Sequence, residues 1–221
     1  MEKALHLFDT TIGKKAVLAV TGLVMYGFVI GHMVGNLQVF LGPEKLNHYA
    51  AFLKSLGGLL WIARLTLLAA LAAHVVISLS LVVRSASARS VGYRAKETLA
   101  TTYAAMTMRY GGPALLLFIL FHLAHFTFPG VAMGAYEHSH ADVYSNVING
   151  FSIPWVTAIY VLANLLLGLH LYHGAWSLFQ TLGLSHPRYN PQIRLIPKAI
   201  GVGVALGNIV MPLSVLAGIV H

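Results

Sequence analysis

The run from Ala158 to Trp176, AIYVLANLLLGLHLYHGAW, contains no acid, lysine or arginine, yet it carries His170 in its interior. Roughly 20 apolar residues rising 1.5 Å each are enough to cross a bilayer as a helix. An ionisable side chain at that depth is costly and marks a functional site with a partner. Three more apolar runs repeat the feature: His32 in FVIGHMVGN, His74 in LAAHVVIS and His122 in LFILFHLAHF. One histidine per hydrophobic segment, four times over, is hard to explain by packing. Paired imidazoles from facing helices are how a bundle holds a haem iron.

Composition fixes the class. Of the 221 residues, 57% are hydrophobic and 9% charged, where a soluble domain averages about 25% charged; mean hydropathy is +0.75. The expected fold is an all-α integral membrane protein with five transmembrane helices, near residues 15–39, 59–83, 102–128, 154–178 and 196–220. The first four would form a diheme four-helix bundle. The fifth carries no histidine and is expected outside it. Residues 1–221 then make a single transmembrane domain with no room for a globular catalytic unit, so soluble chemistry falls to partner chains.

The net charge of +8 does not point to nucleic acid, because no basic stripe with interleaved aromatics occurs. The cations sit mostly in short segments between spans, as topology signals do. Lys3, Lys14, Lys15, Arg84, Arg89, Arg94, Lys96, Arg109, Arg188, Arg194 and Lys198 fall on one side; Lys45, Lys54 and Arg64 fall on the other. Eleven against three puts the N-terminus in the cytoplasm and the C-terminus outside, in a bacterial cytoplasmic membrane. The segment MEKALHLFDTTIGKK lacks the apolar core and cleavage site of a signal peptide, so the first span is expected to be kept. Cysteine is absent, which excludes disulfides, thiolate-held iron–sulfur clusters and c-type haem attachment, leaving haem of the b type.

The connections carry less. GPEKLNHYAAFLKSLGG reads as a short amphipathic surface helix, with Leu46, Tyr49, Ala50 and Leu53 at helical spacing and Gly57-Gly58 ending it. GVAMGAYEHSHADVYSNVING is expected to loop over the bundle. RSASARSVGYRAKE is a basic, exposed link, either a topology signal or a docking surface for a cytoplasmic partner.

Depth sorts the four histidines. At 1.5 Å per residue, His32 and His122 lie roughly 25 and 27 Å from the cytoplasmic end of their spans, and His74 and His170 roughly 14 Å. That gives an outer pair, His32 with His122, and an inner pair, His74 with His170, each from helices diagonal in a four-helix bundle. Small residues accompany them: Gly31, Gly35, Ala72, Ala73, Gly168 and Gly174. They would let a flat macrocycle pass between helices or, equally, let the helices pack closely. His125 and His173, three residues after His122 and His170, are rival ligands that depth alone leaves open. His6, His48, His138, His140, His186 and His221 fall in loops or ends. Met25, Met33, Met106 and Met108 read as packing.

These residues resemble a known family. GKKAVLAVTGLVMYGFVIGHMVGNLQVF, LNHYAAFLKSL, RYGGPALLLFILFHLAHF and HLYHGAWSLFQTLG are similar to the single-chain, five-span diheme cytochrome b anchor of succinate dehydrogenases and fumarate reductases. The likeness covers most of residues 12–190. Its most specific pieces are GHMVGN around His32 and H-x-x-x-G-x-W-S from His170 to Ser177.

The resemblance implies His74 and His170 as ligands of the inner haem b and His32 and His122 as ligands of the outer one. It also implies a cytoplasmic flavoprotein with covalent FAD, an iron–sulfur subunit, and a membrane quinone, menaquinone, as acceptor; the quinone site is not legible. Electrons from succinate would pass along iron–sulfur clusters and both haems to that quinone. Relatives that handle protons with membrane glutamates find no match here. Span four has no acid, and the outer acids are Glu44, Glu137 and Asp142. Arg109, at the inner edge of span three, is a candidate partner for a haem propionate or a snorkelling topology arginine.

Two other readings remain open in the sequence. One is the cytochrome b subunit of a hydrogenase or formate dehydrogenase, which also pairs histidines in a bundle. The other is a haem-free transporter or channel with histidines along a proton path.

Overall fold

The computed structural model describes residues 10–88, 102–128 and 136–221. Its described residues are mostly helical, with no strand among them. Five helices are long and apolar enough to cross a membrane. They are α1 (Thr11–Asn36, continued by a 3-10 turn over Leu37–Leu41), α3 (Gly58–Ser87), α4 (Tyr103–Phe126), α6 (Pro154–Thr181) and α8 (Leu195–Leu216, reached through the short α7, Asn190–Ile193). Two shorter helices, α2 (Pro43–Ser55) and α5 (Val143–Phe151), lie between spans at one end of the bundle.

Local chemistry sets the boundaries. Thr10 and Thr102 cap α1 and α4, their hydroxyls accepting from Gly13 N at 2.9 Å and Ala105 N at 3.2 Å. Pro154 opens α6, where its missing N–H costs nothing. Gly183 ends α6 with φ +74, and Gly218 stands beyond α8 with φ +70. In both, the glycine and its successor bond back to carbonyls in the last turn: Gly183 N to Gln180 O and Leu184 N to Phe179 O, Gly218 N to Val215 O and Ile219 N to Ser214 O. The fifth span therefore stops at Leu216, short of the expected 220.

The link GPEKLNHYAAFLKSLGG folds as anticipated. Glycine at 57 is left-handed with φ +51 and separates α2 from α3. The connection between α4 and α6 differs from expectation, since its second half is the helix α5. Asp142 caps that helix, accepting Ser145 N at 3.1 Å and Ser145 Oγ at 2.6 Å, and Val143, Val147 and Phe151 recur at helical spacing. The Ser145 hydroxyl, with Asn47 next, holds the Asp142 carboxyl below the usual carboxylate range. Asn47 clips α2 to α5: its Nδ2 donates to Asp142 Oδ1 and its Oδ1 accepts Tyr144 N, both at 2.9 Å.

The dry core sits at this capped end. Val39, Leu46, Tyr144, Phe151, Val156, Tyr160, Met211 and Val215 form one buried cluster, with Phe118, Phe121 and Phe126 packed against it. Of the five spans, α1 and α3 bury little, only Gly13, Thr21 and Gly35 of α1 and Ala70 of α3, whereas α6 and α8 bury residues along their length. The main helix contacts run α6 to α8, α1 to α3 and α4 to α6.

Candidate functional site

The antiparallel arrangement of α1, α3, α4 and α6 brings the four span histidines together in two pairs. The rings of His74 (α3) and His170 (α6) have centroids 6.3 Å apart at an interplanar angle of 57°. Those of His32 (α1) and His122 (α4) are 5.7 Å apart at 83°. A metal–imidazole bond of about 2 Å puts two rings on opposite sides of one iron at a centroid separation of about 6 Å. Both pairs match that spacing, and the partners are those that depth had assigned.

At the inner pair, the hydroxyl of Thr21 donates to Val17 O at 2.8 Å and lies 3.1 Å from His74 Nδ1. With its proton committed to the carbonyl, that hydroxyl accepts from the ring, so the His74 proton is on Nδ1 and the Nε2 lone pair is available to a metal. His170 Nδ1 is buried without a hydrogen-bond partner. Lys14 Nζ donates to Ser80 Oγ at 3.2 Å, and Arg194 stacks on the Trp176 ring at 4.5 Å, so two cations stand at this end of the bundle. Arg109 is exposed on the second turn of α4 and makes no ion pair among the described residues.

At the outer pair, His122 Nδ1 lies 3.0 Å from the Tyr160 hydroxyl, which leaves its Nε2 for a metal. Phe118 and Phe126 flank the ring. His32 stacks on Phe28 at 5.3 Å and 16°. Its Nε2, however, is 3.0 Å from Asn36 Nδ2. Ligation through that nitrogen requires the Asn36 amide to turn away, and this is the one adjustment the donor set needs.

The rivals separate by position. His125 is 1% exposed. Its Nδ1 reaches the same Tyr160 hydroxyl at 3.1 Å, while its Nε2 points towards Gly150, where a Cβ would lie 2.8 Å away. It faces the outer cap and makes no ring contact with His32. His173 is partly buried and makes no ring contact with another histidine among the described residues.

The small residues divide by use. Gly35 lies against Tyr49, where a Cβ would come within 2.6 Å of the ring. Gly168 lies against Gly201 and Ala205 of α8, where a Cβ would meet Gly201 O and the Ala205 methyl at 2.9 Å. Both serve helix packing, not passage of a macrocycle. Gly31 and Gly174 have open space beside them. Met33 packs on Gly207 of α8, as a packing methionine should.

No group of three or more His, Cys, Asp or Glu side chains suited to a metal ion occurs among the described residues. A porphyrin iron needs only two protein ligands, since the macrocycle provides the other four. No protein-family model, curated protein or solved structure matches this chain.

Thr21, Asn36 and Tyr160 are the site residues that sequence reasoning missed. Each is an ordinary polar residue inside an apolar run, and nothing in its spacing announces an imidazole neighbour. Lys14 was read only as a topology signal.

Proposed function

We propose that this chain is the membrane-anchor cytochrome b subunit of a succinate:quinone oxidoreductase, passing electrons from an iron–sulfur partner through two b haems to a quinone. The observation that carries the haem reading is the double pairing of imidazoles, at 6.3 Å and 5.7 Å, from alternate spans. His74 and His170 would hold the inner haem, and His32 and His122 the outer one. Haem bound in this way supplies one-electron exchange at its iron. The chain's own residues present neutral imidazole lone pairs, fix two of the rings through Thr21 and Tyr160, and surround the site with apolar helix faces. Arg109 is the candidate partner for a haem propionate at the inner end.

The choice of complex rests on the motifs GHMVGN and H-x-x-x-G-x-W-S. In this reading succinate chemistry belongs to a flavoprotein with covalent FAD, and an iron–sulfur subunit docks on the cytoplasmic face. Menaquinone is the electron acceptor. The N-terminus faces the bacterial cytoplasm and the C-terminus the outside, by the distribution of lysine and arginine.

The test is spectroscopic. The purified complex should give two b haems per chain by pyridine haemochrome, with a flavoprotein and an iron–sulfur protein co-purifying. His74→Ala and His170→Ala should each remove the same single haem and leave the other spectrum intact; His32→Ala and His122→Ala should remove the second. A colourless chain made with ample haem rejects the reading, and loss of both haems from every variant rejects the pairing.

A further inference from the structure

Tyr160 sits where two histidines compete for one hydroxyl. It is 5% exposed, and His125 is 1% exposed. The Tyr160 Oη lies 3.0 Å from His122 Nδ1 and 3.1 Å from His125 Nδ1. A phenol has one proton to donate, so the two bonds cannot run in the same sense with Tyr160 as donor.

Ligation decides the sense. If His122 binds iron through Nε2, as the proposed function requires, its remaining proton is on Nδ1 and is donated to Tyr160 Oη. The Tyr160 proton then goes to His125 Nδ1, the other acceptor within bonding distance. His125 accordingly carries its own proton on Nε2. The result is a directional series, His122 to Tyr160 to His125, in which each bond polarises the next.

We infer that Tyr160, backed by His125, is a positioning residue that strengthens the electron donation of the His122 imidazole and so holds the outer haem at a lower potential than that ligand alone would set. Pulling on the Nδ1–H of a ligating histidine raises its basicity, and a more basic ligand favours the ferric form. The inner pair is built differently. His74 meets the aliphatic hydroxyl of Thr21 at Nδ1 and the Leu18 backbone, with no phenol or second histidine behind them, and His170 Nδ1 has no partner. The fold thus provides the two haem positions with unequal support beyond their ligands.

The inference rests on the haem reading and is tested by redox titration of the intact complex, following the two b-haem bands separately. Tyr160→Phe should keep both haems and move the outer midpoint upward while the inner midpoint stays. His125→Asn, which retains an acceptor close to the Nδ1 position, should leave the outer midpoint near its original value. His125→Leu should move it upward by less than Tyr160→Phe does. An unmoved outer midpoint in a fully loaded Tyr160→Phe complex overturns the inference, as do equal shifts from His125→Asn and His125→Leu. Should Tyr160→Phe lose the outer haem, the two His125 variants decide. A wild-type complex without haem instead overturns the proposed function and is distinguishable from either result.

Discussion

Asn36 is the residue most at odds with ligation, because its amide lies 3.0 Å from the nitrogen that His32 would give to iron. The two residues are one helical turn apart, so the contact forms easily within α1 alone. A coordinate bond to iron outcompetes one partly exposed hydrogen bond, whose net worth is about 1 kcal/mol. On the haem reading, Asn36→Ala is therefore expected to leave two haems per chain, with occupancy at the His32–His122 pair equal or higher under limiting haem. Loss of one haem, read by pyridine haemochrome, would show that the amide helps hold the ligand instead. The four histidines themselves were legible in the sequence, since an imidazole in an apolar run stands out and helical rise gives its depth. Thr21 and Tyr160 were not legible. They lie 53 and 38 residues from the rings they touch, and only the assembled bundle brings them there.

Among the elements, α6 and α8 make the closest seam. Gly168 and Gly201 face each other so tightly that a Cβ on Gly201 would lie 2.6 Å from Gly168 O. Close backbone approach of this kind is what small residues provide where no water is released by association. The sequence shows the small residues without showing which neighbour each serves, so Gly168 could be read equally as room for a macrocycle or as helix packing, and it packs on the fifth span. Helix α5 was missed for a related reason. Its nine residues are too few to stand out beside spans, and its stability comes from Asp142, Asn47 and packing on the outer core. Gly201→Val is expected to force α8 away from α6 at a cost of about 1–3 kcal/mol. On the haem reading, the haem spectrum should survive at low temperature, because α8 carries none of the four paired histidines, while the thermal midpoint falls. An unchanged midpoint would mean that the seam is not under compression.

Across the whole molecule, cohesion is uneven. The capped end combines α2, α5 and the ends of α4, α6 and α8 in a continuous aromatic and aliphatic core, whereas α3 buries only Ala70. Spans that bury so little against one another depend on whatever else lies between them, and a ligand bound across α3 and α6 stabilises the folded bundle in proportion to its affinity. The haem reading thus predicts local loosening when haem is withheld, at α3 and not at the outer core. The sequence contains no cysteine, so single reporters can be introduced. Ala70→Cys should react with a membrane-permeant maleimide at least several-fold faster in protein made under haem limitation than in haem-replete protein. Val156→Cys, in the outer core at 0% exposure, should stay protected in both. Equal reactivity at position 70 with and without haem would mean that α3 is held by helix contacts alone, and a haem bridging it to α6 would lose its structural support.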